Sequence, residues 1–173
     1  MRLTAWIAAA VLIVDQISKY VVVHLMGLDR VGAIEVLPPW LNFRMAWNQG
    51  VNFGLFAGED ALTRWGLIAL ALVIVVWVWR WIARDGAAGR GLRVSAGLLI
   101  GGALGNVIDR LAYGAVADFL NMSLPFWRNP FSFNVADIAI FVGAVGLVFL
   151  SGETGAKRRR LRRSGRDGRK AIG

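Results

Sequence analysis

The sequence predicts an all-α integral membrane protein with four transmembrane helices and a small extracytoplasmic β-hairpin or sheet after the first of them. Three observations carry this. Of 173 residues, 57% are apolar and only 18% charged, which favours a small helical membrane protein over a water-soluble domain. The apolar residues gather into four runs, each near the ~20 residues a helix needs to cross a bilayer. Between the first two runs the pattern changes to a two-residue alternation, the period of a strand. Cysteine is absent and His24 is the sole histidine, so a disulfide framework, a thiol nucleophile and a Cys/His metal site are excluded, and no metal or cofactor is expected.

The first span covers 4–26, with Arg2 before it and Asp15, Gln16, Ser18, Lys19 and His24 inside it. A cleaved signal peptide also opens on a basic residue and an apolar core. Here Asp15 and Lys19 break that core and no small-residue cleavage site follows, so the segment reads as an uncleaved helix. Asp15 and Lys19 stand four apart, on one helical face, with the acid first, the better order for an ion pair. Two readings stay open: a self-neutralising pair that lets the helix insert, or a lysine that reaches out to order another charged group. Ser18 and Lys19 point about 100° apart on a helix, so they make no serine–lysine dyad. His24 reads as an interfacial residue.

In the segment 40–56, Leu41, Phe43, Met45 and Trp47 alternate with Asn42, Arg44 and Ala46. Asn48-Gln49-Gly50 then supplies turn residues, and Val51, Phe53 and Leu55 resume the alternation, which predicts a hairpin. Such a sheet would lie at the membrane surface. Asn48 is either a turn former or a ligand-binding residue. The second span, 62–83, has Trp65 near one end and Trp77, Trp79 and Trp81 near the other, as aromatic belts, and Arg80 can snorkel to the interface. The third, 94–111, carries Gly97, Gly101 and Gly105 at four-residue steps that let a neighbouring helix approach closely. The fourth is 133–150. The tail, 153–173, is basic and expected to be disordered.

The tail and the connection with Arg84, Arg90 and Arg93 hold much of the net charge of +9. Directly beside apolar helices, they read as cytoplasmic topology signals rather than a nucleic-acid site. Both termini are then cytoplasmic and the β segment is outside. Asn106, Asp109 and Arg110 come at the outer end of the third span, Asp118 in the external loop, and Asn134 and Asp137 at the outer start of the fourth. Lys19 and Asn48 share that level, while the inner halves hold almost nothing polar except Ser95. A transporter or ion-coupled membrane protein, the alternative reading, needs a polar path, and none runs through the inner leaflet. An ionisable side chain in a membrane marks a functional site by default.

Carboxylates are the remaining chemical candidates. Two aspartates held close share a proton, one taking a proton from water while the other protonates a carbonyl oxygen. Asp15 has Lys19, and Asp109 has Arg110, as sequence-local counter-charges. Asp118 and Asp137 have none, although a solvated loop acid and a helix N-terminal carboxylate are the respective ordinary readings.

At these residues the chain resembles the signal peptidase II family, bacterial lipoprotein signal peptidases, over roughly residues 11–150. The resemblance rests on Asp15 with Lys19, Asn48-x-Gly50-x-x-Phe53, Gly105-Asn106-x-x-Asp109-Arg110 followed by Asp118-Phe119, and Asn134-x-x-Asp137. One departure is Asn52, where members usually have a small apolar residue. The resemblance implies a membrane peptidase unit over 1–152 in the bacterial cytoplasmic membrane. Its implied activity is cleavage of prolipoprotein signal peptides before a diacylglyceryl-modified cysteine at the outer face, with inhibition by globomycin. It implies Asp118 and Asp137 as the catalytic dyad and Asn48, Asn106, Arg110 and Asn134 as residues that order the dyad or contact substrate. Asp15, Lys19, Asp109 and Gly105 would be structural support, and the chain is expected to work as a monomer.

The depth assignment predicts the labelling pattern of single cysteines. Asn48→Cys and Asp118→Cys should react with an impermeant thiol reagent applied outside the membrane, whereas Ala88→Cys and Gly165→Cys should not. The reverse pattern would invert the topology.

Overall fold

The computed structural model describes residues 1–50, 60–86 and 88–151. The second arm expected of the hairpin (Val51, Phe53 and Leu55), Asn52 and the tail 153–173 lie outside the described residues.

Helix α1, Arg2–Lys19, continues into one π-helical segment, Tyr20–Leu25. Gly27 and Gly32, both at positive φ, flank the single turn α2, Leu28–Val31. The long helices α3, Asp60–Arg84, and α4, Arg90–Tyr113, follow, and the chain closes on α5, Val135–Ser151. Arg2–Leu25, Ala61–Arg84 and Arg90–Tyr113 are long and apolar enough to cross a membrane. Helix α5 is apolar but shorter, about 25 Å at 1.5 Å per residue. Phe133, placed at its start by the apolar pattern, instead bridges to Leu120 as an extended residue.

Helix α4 is the centre of the bundle: 61% of its apolar window is buried, against 28% for α1 and 17% for α3. In a bilayer the outward face is as apolar as the core, so packing relies on small residues and close approach rather than a hydrophobic stripe. The buried residues of α1 are accordingly Thr4, Ala8, Asp15 and Lys19, one face at helical spacing. They meet the glycines of α4. A Cβ at Gly97 would lie 2.8 Å from the Thr4 carbonyl oxygen, and one at Gly101 would lie 2.5 Å from that of Ala8 and 2.8 Å from Val11 Cβ. On the opposite side, Gly102 faces the backbone of Ala136, and Gly143 of α5 faces Ser95 O and Leu99 N, each at 2.6 Å from an added Cβ. The four-residue glycine step is thus the α1–α4 seam.

The sheet has three antiparallel strands in the order β1-β2-β3: β1 is Ala33–Leu37, β2 is Leu41–Asn48 and β3 is Val116–Asn121. The alternation over 41–48 does form a strand, while the second arm of the hairpin expected to turn at Asn48-Gln49-Gly50 falls outside the described residues. β2 pairs with β1 across residues 38–40 on one side and with β3, from the loop after α4, on the other. Asp118, expected in a loop, therefore sits in a strand. β3 is held in place by Phe119, whose ring lies edge-on to Phe43, with centroids 5.8 Å apart, and packs with Val22 of the π-helical segment and Leu28 of α2. This small core seats the sheet on the bundle.

Filling the helix seam should cost stability. Gly101→Val would press on the Ala8 carbonyl and is expected to destabilise by about 1–3 kcal/mol, read as a lower melting temperature in detergent. Gly66→Ala, where an added Cβ meets nothing within 4 Å, should leave the melting temperature unchanged or slightly raised.

Candidate active site

Lys19 is the hub of the polar residues. Its Nζ lies 2.8 Å from Asp15 Oδ2 and 2.7 Å from Asp109 Oδ2, and it donates to Asn106 Oδ1 at 3.4 Å. Both readings of Lys19 therefore hold: it neutralises Asp15 and reaches across to α4. All three charged groups are buried, and a buried charge persists only when paired and hydrogen-bonded. Gly105 makes the approach possible, since a Cβ there would sit 2.5 Å from Asp15 Oδ2.

Each carboxylate of this triplet then holds a backbone N–H elsewhere. Asp15 Oδ1 accepts from Ala136 N at 2.9 Å, and Asp109 Oδ2 accepts from Ala117 N at 3.1 Å. Ala136 precedes Asp137 and Ala117 precedes Asp118, so the triplet fixes the chain one residue before each of the two remaining aspartates.

Asp118 and Asp137 come together from β3 and the start of α5, held by three asparagines of which Asn134 bonds to both. Asn134 Nδ2 donates to Asp118 Oδ1 at 2.6 Å and Asn48 Nδ2 donates to Asp118 Oδ2 at 3.0 Å. Asn106 Nδ2 donates to Asp137 Oδ1 at 2.9 Å. Asn134 also caps α5: its Oδ1 accepts from Asp137 N at 2.9 Å while Asp137 Oδ2 accepts from Asn134 N at 3.2 Å. This reciprocal pair is a capping box, formed with Asp in place of Glu. Asp137 is thus both a helix N-terminal carboxylate and a member of the cluster. Asn48 likewise serves twice, since its Oδ1 also accepts from Gly50 N at 3.0 Å.

Burial pushes the Asp118 carboxyl up to about 7, and the neighbouring Asp137 charge pushes the same way, against the opposing bonds from Asn48 and Asn134 and the charge of Lys19. Desolvation and a like charge both disfavour the ionised form.

The ion-pair partner of Asp109 is Lys19 rather than the adjacent Arg110, which acts on Asp109 only at longer range. Adjacent helical residues diverge by about 100°, and Asp109 meets Lys19 at 2.7 Å. Arg110 Nη1 donates to Asn106 O at 3.4 Å, and its Nε is buried with no hydrogen-bond partner among the described residues. The guanidinium lies within electrostatic reach of Asp118, Asp137 and Asp109. Gln16 was noticed in the sequence only as an interruption of the apolar run, yet its Nε2 donates to Asp109 Oδ1 at 3.0 Å and Asp15 Oδ2 at 3.2 Å. Its place beside Asp15 was the available signal. His24 lies with its Nε2 3.3 Å from the Tyr113 hydroxyl.

The family described as signal peptidase (SPase) II matches residues 7–151. The chain is 40% identical over 141 residues to a lipoprotein signal peptidase of Methylobacterium sp. (strain 4-46), covering 82% of this chain and 83% of that protein. A lipoprotein signal peptidase of Methylorubrum extorquens (strain PA1) is 46% identical over 112 residues, covering 65% of this chain and 64% of that protein. Among solved structures, a bacterial membrane enzyme determined by the in meso method at 2.3 Å superposes with a TM-score of 0.72 at 27% identity, covering 89% of this chain and 90% of that one. The chain belongs to the signal peptidase II family: it is a multi-pass membrane protease of lipoprotein signal peptides.

Proposed function

We propose that Asp118 and Asp137 are the catalytic pair with which the chain hydrolyses the signal-peptide bond of diacylglyceryl-modified prolipoproteins, at the outer face of the cytoplasmic membrane. The observation that carries this is the meeting of two carboxyl groups, from distant parts of the chain, in one set of amide donors with no metal-binding cluster among the described residues. Helix α5 acts as the fourth span, its N-terminus at the outer surface. Both termini then lie in the cytoplasm, and residues 1–152 form the peptidase unit.

The roles follow from the environments. Asp118, with its carboxyl pushed up to about 7, carries the shared proton at rest. Asp137, at a helix N-terminus that favours negative charge, takes a proton from the attacking water as its oxygen bonds to the scissile carbonyl carbon. Asp118 gives its proton to the carbonyl oxygen, and a tetrahedral diol results. Collapse of the diol returns a proton to the leaving nitrogen and breaks the C–N bond, restoring one proton on the pair. Asn48 and Asn134 aim Asp118, and Asn106 aims Asp137. Arg110, whose Nε has no partner among the described residues, is assigned to meet a substrate carbonyl. Asp15, Lys19, Asp109 and Gly105 hold the frame.

Incubation of the purified protein with a diacylglyceryl-modified prolipoprotein and its unlipidated counterpart tests the reading: only the first should be cut, and globomycin should block the cut. Asp118→Asn and Asp137→Asn should retain the wild-type melting temperature and lose activity by roughly a hundredfold or more. Robust processing by either would remove the dyad. A chain that processes neither substrate would point back to a transporter.

The pH profile supplies a further test. Asp118 must be protonated to act as the acid, so kcat/KM should fall as pH rises through about 7. The Asn48 bond favours the ionised carboxylate, so Asn48→Ala should move this alkaline limb to higher pH while lowering kcat. An unmoved limb would separate Asp118 from the titrating group.

A further inference from the structure

The connection between β3 and α5 reverses the usual arrangement of a surface loop. Asn121 and Ser123 turn inward and hold its shape. Asn121 is buried and its Nδ2 donates to Asn129 O at 2.9 Å and to Phe131 O at 2.8 Å. Buried Ser123 donates to Asn121 Oδ1 at 3.1 Å and accepts from Asn129 N at 3.1 Å. Leu124 and Trp127 exchange two backbone bonds, at 2.8 and 3.0 Å, closing a tight turn over Pro125 and Phe126. The apolar side chains point out: Phe126 is 87% exposed, Phe131 75%, Met122 55% and Trp127 52%.

A loop ordered by its own amide network, with its aromatic rings displayed, is shaped for an apolar partner. Position selects which one. Phe131 lies four residues before the first residue of α5, and the bridge from Phe133 to Leu120 ties the returning arm to β3. The loop therefore sits at the level where an apolar helix begins, the depth at which aromatic side chains collect in membrane proteins. Arg128, exposed beside Trp127, offers a cation at the height of lipid phosphates.

We propose that residues 122–131 are an interfacial anchor, with Phe126 and its neighbours inserted into the lipid of the leaflet that borders the sheet. The anchor would set the height of β3, and with it Asp118, relative to the bilayer surface. This rests on the reading of α5 as a span.

The absence of native cysteine permits a direct test in the full chain reconstituted into phosphatidylcholine–phosphatidylglycerol vesicles. Nitroxide labels are placed at Phe126→Cys, at Phe131→Cys and, as a reference, at Phe141→Cys, which is 70% exposed on α5. Collision with oxygen, enriched in lipid, is compared with collision with a water-soluble nickel chelate. The expected result is oxygen-dominated collision at all three, deepest at 141. Nickel-dominated collision at 126 and 131 with oxygen-dominated collision at 141 overturns the anchor while leaving the span intact. Nickel-dominated collision at 141 overturns the span and the anchor together. Protection at 126 that appears only on adding lipidated substrate would make the loop a substrate dock. Spin–spin broadening at 126 would make it a contact between copies. Either of these also overturns the anchor.

Discussion

Lys19 shared between Asp15 and Asp109 is the constraint on which the rest of the molecule depends. Three charges buried together in a low-dielectric interior are costly, and their attraction offsets that cost only at short range with the remaining oxygens bonded. Both conditions are met at 2.8 and 2.7 Å, with Gln16 and two backbone N–H groups completing the set. Because those N–H groups belong to Ala136 and Ala117, an ion triplet between α1 and α4 dictates where α5 and β3 begin to carry their aspartates. The support residues and the proposed dyad are one network, one backbone position apart.

Around Asp118 and Asp137 the directional contacts come from neutral amides rather than from lysine or arginine. The choice has a physical consequence. A cation in contact would hold Asp118 ionised, whereas an amide orients the carboxyl without overriding burial and the Asp137 charge. Asn134 does this while capping α5, so helix initiation and carboxylate orientation cannot be varied independently. The close packing beneath serves the same end. Gly105 lets Asp15 touch α4, and Gly97 and Gly101 let the helices approach closely enough that the triplet forms.

The sequence already held the long apolar helices, within a few residues of each, and three of them are long enough to cross a bilayer, because a bilayer demands long apolar runs. It held strand β2 through its two-residue period, and the candidate residues through the cost of polar groups in apolar surroundings. Asn48, Asn106, Asn134, Asp118 and Asp137 do converge. The pairing of strands was not legible: β1 and β3 are short, and β3 joins β2 from some 70 residues away by burying Phe119 against Phe43. The partner of Asp109 was misread for a related reason. Proximity in sequence suggested Arg110, but a helix turns neighbours apart, and only packing against α1 shows that Lys19 takes the position.

By itself, then, the sequence determined the membrane class, the placement of polar residues at one end of the apolar runs, and the restriction of the chemistry to carboxylates, since each of these follows from composition and local period. The tertiary structure decided which charge meets which, that Asp118 is buried beside Asp137, and that Arg110 stands within electrostatic reach of both. Those depend on distances between residues far apart in the chain, and such distances exist only once helices and sheet have closed on one another.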